Sequence, residues 1–359
     1  MYEINDRESR TILYLKAVFI ILVLYIHTWA YTNKGYVNFG DGNLELNTPM
    51  WLWNFEYTFS VIIARCATPG FFLLSSILLF RKDFKFKENI KKRIRTICIP
   101  WFLVTTFWIL FFAVAQRFPA IAPFFSNEKT IIANWNIFNF IDAYLGLTGD
   151  PLVYPLWFLQ NLLFLNIIAK GLKFIIDRAP IVSLVLLIAL YLSPFEKFIF
   201  CLQTPALFWF CMGYYMVKYD IKIRDIEKIK PIVLTVIYVV LIIASLLLKE
   251  TYIYRFLDKA AIVIGILWFT RMIYSVEENK MLAFLANYSF FLYITHELTT
   301  RMAIKAYTKI FGSSLIAQIM EYIAVPLLVM VLCIGFGVFL SKKAPKLYGL
   351  CNGNRVARA

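Results

Sequence analysis

The chain has 359 residues, of which 61% are hydrophobic and only 16% charged, with a net charge of +15 and a mean hydropathy of +0.69. A soluble domain carries about 25% charged residues and has no need of apolar runs of about 18 or more. The numbers therefore exclude a soluble globular protein and define an all-α integral membrane protein.

Ten apolar segments follow one another: 13–31, 55–80, 97–118, 156–176, 181–194, 198–217, 231–248, 254–274, 282–301 and 316–340. The fold expected is a single bundle of about ten transmembrane helices. It occupies residues 1–345 and is followed by a short basic cytoplasmic tail, 346–359. The first segment lacks an Ala-x-Ala cleavage site and stays in place as a span. The fifth is short enough to be a re-entrant or broken helix. With the N-terminus inside, the inner segments hold 26 Lys and Arg against 10 in the outer loops, which favours both termini in the cytoplasm. The positive charge is then mostly a topology signal and does not imply nucleic acid as a partner.

Six cysteines lie singly along the chain, without a Cys-x-x-Cys pair. This is neither a disulfide framework nor a zinc site, and with two histidines and no carboxylate cluster near them no metal centre is expected. In the outer loop 119–155, the stretch 137–144 reads as a short helix lying on the membrane or over a site. Pro69-Gly70 and Thr204-Pro205 read as kinks.

The two histidines, His27 and His296, both fall inside apolar segments. Ionisable groups in a bilayer are costly and mark function, and imidazole exchanges protons near neutral pH. Each lies fourteen residues beyond the start of an inside-to-outside span, about 21 Å along the helix, so the two sit at matched depth in the outer half of the membrane. Lys16, eleven positions before His27, falls near the same helix face. The inner loop 81–95 carries eight cations against two anions. It is either a phosphate site built on charge-assisted hydrogen bonds or a topology determinant against acidic lipid headgroups. Arg65, inside the second segment, needs a carboxylate, a carbonyl or a substrate as partner. Trp157 and Ser289 stand in the same position between structural and substrate roles.

In this order along the chain the motifs resemble the acyltransferase-3 family of bacterial inner-membrane acyltransferases. Lys16-x10-His27 is similar to the family's Arg/Lys-x10-His signature. Arg65 to Ser76 resembles its R-x-x-x-P-x-F-F-x-x-S-G span, and Lys91-Lys92-Arg93-Ile94-Arg95 its basic loop. Leu156-Trp157-Phe158-Leu159 resembles its LWFL element, and Ser289 to His296 its S-F-x-x-Y-x-x-H element. Three positions depart from the pattern: Thr96 where a second Arg is usual (Lys92-x-x-Arg95 is the other frame), Ser76 where Gly is common, and Gln160-Asn161 where a charged pair often follows.

The resemblance implies acyl transfer, usually of acetyl from cytoplasmic acetyl-CoA, onto a hydroxyl of a cell-envelope or exported carbohydrate. Lys16, Lys92, Arg93 and Arg95 would hold the donor. His27 would serve as general base or transient acyl carrier, with His296 orienting the acceptor or assisting proton transfer. The implied location is the cell's inner (plasma) membrane, and the implied partners are a carbohydrate or lipid-linked acceptor, membrane lipids and polysaccharide-assembly proteins, with no metal. A transporter for a glycan or lipid-linked intermediate and a non-catalytic assembly subunit remain as alternatives.

Overall fold

The computed structural model describes residues 2–38, 43–82, 84–119, 121–122, 131–199 and 202–355. Cys201, Asp83 of the basic loop and the last four tail residues lie outside them. Helices take up 79% of the chain. The strands among the described residues form two antiparallel pairs: β1 (Tyr36–Asn38) with β2 (Asn43–Glu45), and β3 (Lys197–Ile199) with β4 (Leu202–Gln203). Among the described residues, each of the ten apolar segments overlaps a helix. Among these residues, five continuous helical stretches are long and apolar enough to cross a membrane: Asp6–Thr32, Met50–Phe80, Phe86–Ala115, Tyr154–Arg178 and Leu315–Lys343. Pro180–Leu192 and Pro231–Leu247 are shorter apolar helices.

The chain divides into two compact units. The first comprises Met1–Val23, Tyr57–Arg93 and Gln160–Ser289. Helix α1 (Asp6–Thr32) begins there on a capping box. Asn5 N–H donates to Glu8 Oε2 at 2.9 Å and Glu8 N–H to Asn5 Oδ1 at 2.8 Å, satisfying two backbone donors that a helix start leaves over. A π-helical stretch (Thr58–Ile63) and a 3₁₀ turn (Ala64–Cys66) lead into α3 (Ala67–Phe80). The ladder is thus already broken where Pro69 removes a donor. Helix α9 (Thr204–Lys218) packs closely on α3 because Gly213 has no side chain: a Cβ there would stand 2.6 Å from both the Leu73 carbonyl oxygen and Ser76 Cβ. Small residues permit such approaches where lipid gives helices no hydrophobic reason to associate. The rest of this unit holds α4 (Phe86–Arg93), α8 (Pro180–Leu192), α10 (Pro231–Leu247), α11 (Tyr254–Tyr274) and most of α7 (Trp157–Arg178).

Two expectations are corrected here. Thr204-Pro205 does not kink a helix; it starts one, since proline in the first turn forfeits no hydrogen bond. The sixth segment is also shorter than 198–217, because its leading residues pair as strands instead of continuing the helix.

The second unit comprises Leu24–Glu56, Ile94–Leu159 and Phe290–Ala359. It contains the end of α1, then α2 (Met50–Tyr57) as far as Glu56, and α5 (Ile99–Ala115). Most of α12 (Lys280–Phe311), α13 (Leu315–Lys343) and α14 (Pro345–Cys351) follow. Stretch 137–144 is indeed helical: α6 (Ile137–Leu145) starts on an Asn136–Asn139 capping box and ends at left-handed Gly146. It docks on α5 by the Tyr144 hydroxyl, 2.7 Å from Thr106 Oγ1, and a Tyr144–Phe102 ring stack. The expected tail is packed as far as Arg355. Arg355 Nη1 donates to the Thr96 carbonyl at 3.1 Å, and its guanidinium lies 3.5 Å from the centre of the Phe290 ring.

Candidate active site

His27 and His296 meet in the second unit, their ring centres 4.8 Å apart. The pairing of the first and ninth apolar segments, which sequence leaves open, is thereby settled. Both residues are buried, with relative exposures of 7% and 0%. The end of α1 supplies His27 and Tyr31, one turn apart on one face. Helix α12 supplies His296, Glu297 and, one turn on, Arg301.

Glu297 is the centre of the arrangement. Its Oε1 accepts from the Tyr31 hydroxyl, from Arg301 Nε at 3.0 Å and from Arg301 Nη2 at 2.8 Å, and Arg301 Nε also donates to the Tyr31 oxygen at 2.7 Å. The carboxylate is 1% exposed, so this paired cation is what makes its burial tolerable. Oε2 receives no hydrogen bond among the described residues and lies 3.4 Å from His27 Nδ1. A neutral His27 with its proton on Nδ1 has a carboxylate oxygen 3.4 Å from that nitrogen and leaves the Nε2 lone pair for chemistry. Aromatic rings close the surroundings: Tyr154 stands edge-on to His27 at 5.9 Å, and Trp108 lies 6.0 Å from the Arg301 guanidinium.

His296 is fixed differently. Its Nδ1 lies 2.6 Å from the Tyr293 carbonyl and 3.2 Å from that of Leu292. Only an N–H satisfies a carbonyl, so the neutral ring carries its proton there. Nε2 is left as a buried acceptor without a partner among the described residues. A buried unsatisfied acceptor is costly in a structural role, and a substrate hydroxyl would satisfy it.

One nitrogen of each imidazole and one Glu297 oxygen lie within 4.8 Å of one another. No carboxylate cluster is expected near the histidines from the sequence, and the structure sets a single carboxylate, Glu297, beside them. Among the described residues, these three are the cluster of His, Cys, Asp or Glu side chains that could hold a metal ion, as a two-His, one-carboxylate set. Arg301 on the same carboxylate opposes a divalent cation by placing a positive charge beside it.

The remaining candidates divide between the two units. Lys16, Lys92 and Arg93 belong to the first unit and Arg95 to the second. Arg93 Nε is held at 2.9 Å by Asn166 Oδ1 and at 3.2 Å by Asn89 Oδ1, while Lys92 and Arg95 are exposed. Arg65 finds a carboxylate: its Nη1 is 3.2 Å from Asp258 Oδ2, on α11. Ser289, in the first unit, donates to the Ala286 carbonyl of its own helix at 2.7 Å. Trp157 stands at the start of α7, edge-on to Phe158. Sequence reasoning missed Tyr31, Glu297 and Arg301. The signal available was the i, i+4 Glu297–Arg301 pair inside an apolar helix.

A helical, membrane-type chain with a buried imidazole backed by a braced carboxylate has the makings of a proton-transferring membrane enzyme. Comparison with known families makes this specific: residues 11–341 match the model of the acyltransferase domain family Acyl_transf_3, and the chain belongs to that family. It is also 23% identical over 168 residues to the succinoglycan biosynthesis protein ExoH of Rhizobium meliloti (strain 1021). That alignment covers 46% of this chain and 44% of the relative. No solved structure matches.

Proposed function

We propose that the chain is a membrane acyltransferase that moves an acyl group, acetyl from cytoplasmic acetyl-CoA, onto a hydroxyl of a cell-envelope or exported carbohydrate. The observation that carries the reading is the His27–Glu297 pair, braced by Arg301 and Tyr31, in a chain of the acyltransferase family. The name of the relative, a succinoglycan biosynthesis protein, supports a polysaccharide as acceptor. The topology in this reading is ten crossings with both termini in the cytoplasm of the inner membrane.

In the proposed step His27 Nε2 takes the proton of the acceptor hydroxyl as its oxygen attacks the thioester carbonyl. The C–S bond breaks, an ester C–O bond forms, and the imidazolium returns the proton to the departing coenzyme A sulfur. Glu297 stabilises the imidazolium and holds its tautomer, as the carboxylate does in hydrolase triads. The His296 Nε2 lone pair accepts from an acceptor hydroxyl and orients it. No step is routed through a metal.

Lys16, Lys92, Arg93 and Arg95 are assigned to the donor's phosphates, and Arg65 with Asp258 to the stability of its own unit. Replacing Lys16 or Arg95 with Gln is expected to raise the half-saturating acetyl-CoA concentration about tenfold, the loss of one charge-assisted contact worth about 1.4 kcal/mol. The half-saturating acceptor concentration should stay within about twofold of wild type, the reading of such a split being the loss of donor binding. An acceptor shift instead would return the basic residues to a role in topology.

Sidedness tests the whole reading. Proteoliposomes are expected to consume acetyl-CoA from the face bearing the basic loop alone, to release coenzyme A on that face, and to acetylate polysaccharide supplied on the opposite face. Acceptor modified only on the donor face would overturn the through-membrane relay. Polysaccharide crossing without acetyl-CoA consumption would establish the transporter.

A further inference from the structure

Within the second unit, the end of α1, the segment after β2, α2 and α13 enclose a small polar cavity. It is lined by Thr32, Thr48, Glu56, Gln318, Glu321 and Tyr322, and its 10 Å³ of room accepts about one water. Glu56 is 6% exposed and Glu321 3%. No lysine, arginine or histidine lines the cavity, and neither carboxylate has an ion-pair partner among the described residues. The Glu56 carboxylate receives no hydrogen bond among them either. Two buried carboxylates on one cavity, with no counter-charge, each bear a desolvation cost and repel each other.

Most protons of the neutral lining groups are already spent. Thr48 Oγ1 donates to Gln318 Oε1 at 2.6 Å, and Thr32 Oγ1 to the Thr28 carbonyl at 3.3 Å. The Gln318 amide nitrogen donates to the Ser313 carbonyl at 2.8 Å, and the Tyr322 hydroxyl to the Glu56 carbonyl at 3.4 Å. Thr308 Oγ1 donates to Glu321 Oε1 at 2.8 Å. What the lining still offers is acceptor oxygen. Both Glu56 oxygens and Glu321 Oε2 are open among the described residues. Lone pairs remain on Gln318 Oε1, Thr32 Oγ1 and Thr48 Oγ1.

An all-oxygen set of this kind suits a hard cation. Calcium takes about six to eight oxygens at roughly 2.3–2.6 Å, tolerates irregular geometry, and matches two carboxylates in charge. Magnesium gives up its waters reluctantly, and a cavity with room for about one water has no place for them. Sodium would leave one buried negative charge, and a water would leave two.

We infer that this cavity is a calcium site: the ion sits between Glu56 and Glu321, oxygens of Gln318, Thr32 and Thr48 complete its coordination, and it ties α1 and α2 to α13. In the ten-crossing topology Thr32 and Thr48 belong to the first outer loop, so the ion is drawn from outside, where weak calcium modules work at about 0.1–1 mM. The inference does not depend on acyl transfer.

The test uses full-length protein in nanodiscs of phosphatidylcholine, which carries no net charge, after treatment with a chelator. Equilibrium dialysis with radioactive calcium is expected to give one ion per chain, with a dissociation constant of about 0.1–1 mM. Calcium at about 10 mM should raise the unfolding temperature by at least about 3 °C. Magnesium or sodium at the same concentration should achieve less than about a third of that rise. Glu56→Gln and Glu321→Gln should each abolish both the bound ion and the shift. Thr32→Val takes away one ligand oxygen whose hydrogen bonds among the described residues run within its own helix. It should weaken binding about fivefold, since affinity follows the ligand set.

Wild-type protein that binds no calcium, or that magnesium or sodium stabilises as well, would overturn the site. Gln variants that keep the bound ion would do the same. Should those variants fail to fold, Thr32→Val decides, and undiminished calcium binding by it would overturn the inference.

Discussion

His27→Ala is expected to lower acyl transfer about a thousandfold, roughly 4 kcal/mol of transition-state stabilisation, within the range for loss of a positioned general base. Expression and membrane insertion should be retained, because alanine is small, apolar and a good helix former. The cavity it leaves is lined by His296, Glu297 and Tyr154, and it gives Glu297 no substitute proton donor. The measurement is acetyl-CoA-dependent acetylation in nanodiscs at matched protein levels. Near-normal transfer by the variant would remove His27 from the mechanism. A burst of coenzyme A release from wild-type protein without acceptor, followed by transfer when acceptor is added, would mark His27 as a transient acyl carrier. The proposed base chemistry predicts no burst. His296→Ala should cost less, since its Nε2 orients a hydroxyl while His27 retains the carboxylate.

Much of this site was legible in the sequence. Two ionisable rings in apolar runs, expected at matched depth, marked the candidate residues without establishing that they meet, and the structure brings their centres to 4.8 Å. The helices were legible too, because apolar runs bounded by charge specify them strongly. What escaped was whatever depends on pairing in space. Arg301 read as the end of a span and an outer-face charge. It is instead an interior partner that neutralises Glu297 and lets α12 run on to Phe311. Tyr31 stood only as the end of the first apolar segment, since its partner is 266 residues away. Arg65 was recognised as needing a partner, but nothing in the chain singles out Asp258 among the carboxylates. Thr204-Pro205 was misread because a proline in a helix and a proline starting one look alike until the hydrogen bonds are known. The strands β3 and β4 were lost within an apolar run, where composition does not separate strand from helix.

Glu297→Gln is the more discriminating experiment. The side chain keeps its shape, and its amide oxygen can still accept from Tyr31 and Arg301, so the braces on α1 and α12 remain. In that orientation the amide N–H₂ replaces Oε2 and points at His27 Nδ1. Two donors then face each other, and the imidazole must move its proton to Nε2, where it no longer acts as a base. The negative charge that stabilises the imidazolium is gone as well. The expected result is a fall in kcat of between about a hundredfold and ten thousandfold, the scale on which a hydrolase responds to the equivalent change. Half-saturating concentrations of donor and acceptor should move little, because the interaction lost is made in the transition state. If Glu297 served only to pair Arg301, the variant would lose stability and keep its kcat, since removing one partner of a buried ion pair destabilises by about 3–5 kcal/mol. Thermal unfolding beside the kinetics separates the two outcomes. A kcat within a few-fold of wild type would leave His27 without its carboxylate partner in the mechanism.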